Sequence, residues 1–115
     1  MYRIVLALCL LVFVGSCEQG MKNEYAEKLI ELYDDSSADL KSANSMEELQ
    51  KIDEETRQQH WVYEGEFRES REALMKAKDE DFDSQAFVLH CKMIEAEEHQ
   101  QWMLQKRIHE LKEQE

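Results

Sequence analysis

The chain has 115 residues, 26 of them acidic and 14 basic, for a formal net charge of −12; that length holds one modest domain at most. So acidic a chain is a poor match for nucleic acid, whose phosphates demand Lys and Arg, and its surface is repelled by anionic lipid headgroups. There is no proline, and the only glycine after residue 20 is Gly65. Glu, Gln, Lys, Leu, Met and Ala dominate, all good helix formers, so the expected fold class is all-α.

The first segment is not part of that fold. Met1-Tyr2-Arg3 is a short positive start, and residues 4–14 are an uncharged run of 11. A membrane-crossing helix needs about 20 apolar residues, whereas about 7–15 suit the apolar stretch of a secretory signal. The run ends in Val14-Gly15-Ser16-Cys17. Here the chain resembles the lipobox of bacterial lipoproteins, which reads Leu or Val, two small residues, then Cys. This chain has Val where the strongest form has Leu.

The resemblance implies that residues 1–16 are a signal cut between Ser16 and Cys17. It also implies that Cys17 carries a diacylglyceryl group, that its new amine is acylated, and that the protein is tied to a membrane of the cell envelope. Several acyl chains, at about 0.8 kcal/mol per buried CH₂, make such an anchor stable. An ordinary secretory signal would cut the same bond and leave Cys17 a thiol. A Cys17–Cys91 disulfide is then open to the chain in an oxidising compartment. Either cut leaves 99 residues and, with Arg3 gone, a charge of −13. Residues 17–22 form the tether and 23–115 the helical domain.

Three helices are predicted in that domain. The first runs over 21–43, with Tyr25, Leu29, Leu32, Ser36, Leu40 and Ala43 at helical spacing. Ser45 followed by Glu48 has the spacing of a capping box and opens a second helix over 46–78. Its seam is Leu49, Ile52, Thr56, Gln59 or His60, Tyr63, Phe67, Ser70, Leu74 and Ala77. Residues 79–83 break the pattern, and Asp83 or Ser84 caps a third helix reaching Lys112. Its stripe is Phe87, Cys91, Ile94, Glu98, Gln101 or Trp102, Leu104, Ile108 and Leu111. Short connections make neighbours antiparallel, so an up-down-up, coiled-coil-like three-helix bundle is expected.

The lengths are unequal. The turns set Tyr25 against Tyr63, and Tyr63 against His99, which leaves the outer ends of helices two and three without a third partner. Leu74, Met75, Phe82, Phe87 and Val88 gather there as a candidate surface for an envelope protein partner, for the bilayer, or for a homodimer packed tip to tip. Isolated exposed apolar residues are the commoner meaning of such a pattern.

A second candidate is a mid-bundle layer of His60, Trp61, Tyr63 and Glu64 against Glu95, Glu98, His99 and Trp102, with His60, Glu98 and His99 as an alternative metal set. The Glu-x-x-His motif of di-iron bundles is missing, since Arg57 and Ala96 stand where its acids belong, and no spacing resembles a zinc site. A polar layer that fixes register is the plainer reading. Trp61 and Trp102 read as partly buried packing residues and Cys91 as a buried thiol on the core stripe. No phosphate loop, nucleophile elbow or acid pair is present, so neither an enzyme nor a cofactor is expected. The whole chain is similar to the small helical lipoproteins of Gram-negative envelopes, particularly those of Bacteroidota, in its signal, its acidic Met/Glu/Gln-rich helices and its Ser45-to-Leu49 helix start. That resemblance implies an envelope location.

Overall fold

The computed structural model describes residues 23–80 and 84–114. The signal at 1–16, the cleavage residues Ser16 and Cys17, the tether to residue 22, and Phe82 and Asp83 lie outside the described residues. Within them the protein is all-helical, with four helices and no strand: α1 over residues 23–42, α2 Met46–Glu66, α3 Arg68–Glu80 and α4 Gln85–Glu113. No helix among the described residues is long and apolar enough to cross a membrane.

The start of α2 follows from its sequence. Ser45 is extended (φ −146°, ψ 159°) and its hydroxyl accepts the Glu48 N–H at 3.1 Å. The Glu48 carboxylate reaches back to the Asn44 N–H at 2.9 Å, so the reciprocal bond falls one residue earlier than in the usual box. Ser84 caps α4 through the Phe87 N–H at 3.1 Å.

The helix predicted over 46–78 is divided at Phe67, whose backbone (φ −109°, ψ 35°) leaves the helical region. Helical bonding resumes at once: the Phe67 N–H donates to the Tyr63 carbonyl at 2.8 Å and the Arg71 N–H to the Phe67 carbonyl at 2.9 Å. Gly65, two residues earlier, is the weak point that such a kink requires.

Two apolar clusters hold the helices together. One joins Tyr25, Ala26, Leu29 and Tyr33 of α1 to Leu74 of α3 and to Ala86, Met93 and Ala96 of α4. The other joins Leu40 and Ala43 to Leu49 of α2 and to Met103, Leu104 and Leu111 of α4. α4 therefore runs antiparallel to the path of α2 and α3.

Two registers differ from expectation. Tyr63 packs partly against the cluster that holds Tyr25, but the Tyr25 N–H donates to Ser70 Oγ at 3.0 Å, seven residues beyond Tyr63, or about 10 Å at 1.5 Å per residue. Helices that cross at an angle advance unequally from their turn. The start of α1 therefore lies over α3. The buried line of α4 is also rotated. It passes through Ala86, Met93, Ala96, Gln100 and Met103 and keeps Leu104 and Leu111 of the expected stripe, while Ile94, Glu98 and Trp102 are exposed. Small alanines let the helices approach closely, and Gln100 brings its own hydrogen bonds, whereas the bulk of Ile94 and Trp102 is left outside.

The end of α1 is closed from a distance. Arg107 Nε donates to the Leu40 carbonyl at 3.3 Å, and the same guanidinium bonds the Ala43 carbonyl and the Glu110 carboxylate. Carbonyls at a helix C-terminus have no partner within the helix, and a cation there also suits the helix dipole.

Candidate functional site

Between the two apolar clusters lies a hydrogen-bonded polar layer that spans three helices. Gln100 of α4 is 0% exposed. Its amide nitrogen donates to Ser36 Oγ of α1 at 3.3 Å and to Asp53 Oδ1 of α2 at 3.1 Å, and its oxygen accepts from Gln101 at 3.2 Å. Thr56 Oγ1 lies 2.8 Å from Ser36 Oγ and 2.7 Å from the Ile52 carbonyl. The carbonyl can only accept, so it takes the single Thr56 proton. Ser36 then donates to Thr56 while accepting from Gln100. Asp53 also accepts from Arg57 Nε at 3.0 Å; that bond, and then the charge behind it, holds the Arg57 guanidinium above its ordinary value. Among the described residues no buried side-chain nitrogen or oxygen lacks a partner.

Beside this layer runs a shorter chain. The Tyr33 hydroxyl of α1 is hydrogen-bonded to His60 Nδ1 of α2, and His60 Nε2 lies 3.3 Å from Glu64 Oε1. Burial, followed by the charge of Glu97, pushes the Tyr33 hydroxyl well above its ordinary value, so it keeps its proton. With His60 neutral, Tyr33 donates to Nδ1 and Nε2 donates to the acceptor-only Glu64 carboxylate. Carboxylate, imidazole and hydroxyl in that order activate nucleophiles in hydrolases. Here the hydroxyl belongs to a residue only 4% exposed, and the chain ties α1 to α2.

The residues singled out in the sequence are distributed otherwise. Leu74 is 0% exposed and belongs to the core, because the shifted register brings Tyr25, Ala26 and Leu29 over it. Met75 packs partly against the same cluster and Phe87 is half-buried, while Val88 is exposed; Phe82 lies outside the described residues. The apolar end is thus covered at Leu74, with Met75 partly packed beside it.

Nor do His60, Glu98 and His99 converge, since among the described residues no three His, Cys, Asp or Glu side chains could share a metal ion. The rotation of α4 leaves Glu98 and His99 exposed. His99 stacks on Trp102 at 5.7 Å. A polar layer is present, but it is built from Ser36, Asp53, Thr56 and Gln100. Ser36 and Thr56 were on the predicted seams; Gln100 gave no signal beyond its place three residues from Met103. Cys91 is a free thiol, half-buried instead of buried.

Both tryptophans are exposed, correcting their expected role in packing: Trp61 at 76% and Trp102 at 55%. Trp102 also has the Lys106 ammonium over its ring at 5.1 Å. No protein-family model, no curated protein and no solved structure matches the chain.

Proposed function

We propose that this chain is a lipid-anchored protein of the cell envelope that acts as a non-catalytic interaction or structural module. The observation that carries this reading is Val14-Gly15-Ser16-Cys17, standing directly after an uncharged run of 11 residues and a short positive start. In this reading residues 1–16 are removed, Cys17 holds the lipid, and residues 18–22 span at most about 18 Å when extended. The helical part then stands close to the membrane, held by acyl chains and not by its acidic surface.

The four helices work as three rods, α1, the kinked pair α2–α3, and α4, in an up-down-up antiparallel bundle. Two apolar clusters and one fully bonded polar layer make a scaffold of defined register, which suits a module that presents a fixed surface to a partner. The non-catalytic part of the reading is supported by the burial of the Tyr33 hydroxyl.

Intact mass of the protein from membrane fractions tests it, with Cys17→Ala as control. A chain beginning at Cys17 and carrying diacylglyceryl plus acyl mass, absent from the control, is the expected result. A mass equal to the bare polypeptide from Cys17 overturns the anchor and makes the protein a secreted domain, in which a Cys17–Cys91 disulfide would be sought next.

A further inference from the structure

The outward side of α2 carries the most exposed large apolar residue among those described. Trp61 is 76% exposed and Val62 is exposed beside it. With Asp53, Glu54, Arg57 and Gln58 they border one open depression. Glu54, Gln58, Trp61 and Gly65 follow one another at three- and four-residue steps, so they share a helix face. A Cβ added at Gly65 would meet nothing within 4 Å, so bare, accessible backbone lies one turn from the indole. Trp102 is already engaged by His99 and Lys106, whereas among the described residues no ring or cation packs on Trp61.

The charges around this apolar spot have one sign to spare. α2 holds seven carboxylates and two cations, Lys51 and Arg57. Asp53 is taken by Arg57 and Glu64 by His60. Glu54, Glu55 and Glu66 are exposed and make no ion pair among the described residues.

We propose that this face docks a cationic amphipathic helix of another protein. Trp61 and Val62 meet the apolar stripe of that helix, and its Lys and Arg flanks meet Glu54, Glu55 and Glu66. The proposal rests on the interaction-module reading and gives it a surface and a partner chemistry. The unpaired acids decide the occupant: a second copy would set carboxylate against carboxylate, and an anionic bilayer would do the same. Aromatic anchors at the centre of an interface carry most of its energy, while opposite charge at the rim sets on-rate and partner choice.

The test uses the full chain in uncharged detergent and two fluorescein-labelled 18-residue helical peptides. Both carry the same Leu stripe, flanked by Lys in one and by Glu in the other, and binding is read by anisotropy. The Lys peptide should bind in the micromolar range, the Glu peptide should not, and Trp61→Ala should weaken the Lys peptide at least about tenfold. Glu54→Gln with Glu66→Gln should weaken it further at low salt than at high salt. Trp61 is too exposed for its truncation to unfold the chain, and circular dichroism checks this.

Failure of the Lys peptide to bind overturns the proposal, and so does equal binding to wild type and Trp61→Ala, which would make the attraction charge alone. Equal binding of the Glu peptide overturns the choice of a cationic partner. These readouts concern α2 and are the same whether or not Cys17 is lipidated, so neither experiment's failure stands in for the other's.

Discussion

Replacing Gln100 by Ala breaks the polar layer at its only member from α4. Two donated hydrogen bonds disappear, one to the Asp53 carboxylate and one to Ser36 Oγ. A bond to a charged group contributes about 1.5–3 kcal/mol and a neutral one about 0.5–1.5. The loss is therefore about 3 kcal/mol, before any cost of the small void left by a side chain that is 0% exposed. At about 4–8 °C per kcal/mol for a domain of this size, that is a drop in Tm of roughly 12–24 °C. Gln100→Leu loses the same bonds but regains about 1.5–3 kcal/mol by burying apolar area, so its deficit should be near 1 kcal/mol. Its damage should appear instead as lost uniqueness, with broadened amide resonances, because the layer pins register as buried polar residues do in coiled coils. Urea unfolding followed at 222 nm gives both numbers. A Gln100→Ala variant within about 0.5 kcal/mol of wild type would refute the reasoning, as would a Leu variant no more stable than the Ala one.

Two further perturbations test the register and a half-buried imidazole. Leu74→Ala should cost about 2–5 kcal/mol, as core truncations do, while Val88→Ala should stay within about 0.5 kcal/mol; equal small effects by urea unfolding would return Leu74 to the surface and α1 to its shorter register. Burial, and then Lys78, hold His90 below its ordinary value of 6.5. As pH falls through 6.5 the unfolded chain takes up that proton more readily than the folded one, so stability falls, and the effect levels off once folded His90 is protonated too. His90→Gln should therefore lose less Tm than wild type between pH 7 and pH 5; parallel losses would count against the assignment.

Much of this architecture can be read from the residues alone, and the failures share a cause. The stripe of α1 is legible because its buried positions are mostly apolar at clean helical spacing, and Ser45 with Glu48 marks the start of α2 by hydrogen-bond chemistry that needs no tertiary context. In α4 the pattern misleads. A search for bulk follows Ile94 and Trp102, whereas burial follows Ala86, Ala96 and Gln100, whose value lies in close approach and in partners contributed by other helices. The same applies to the polar layer, since nothing local distinguishes Gln100 from Gln101 until Ser36 and Asp53 are placed beside it. Gly65 is visible as a lone glycine, but its effect is expressed two residues later at Phe67. Trp61 and Trp102 are exposed against the habit of their residue type, which is why surface roles escape a reading built on periodicity.

The reach of the latest bonds bears on how the chain is made. Ser36 waits 64 residues for Gln100, and the end of α1 waits as long or longer for Arg107. On a chain emerging from its N-terminus, α1 and α2 can make the Ser36–Thr56 and Tyr33–His60 bonds, while Asp53 Oδ1 and the carbonyls of Leu40 and Ala43 still have only water in place of Gln100 and Arg107. An early α1–α2 pair therefore stays wet, weakly registered and easy to pull apart. The arrival of the last turns of α4 converts it, in one late step, into a locked structure.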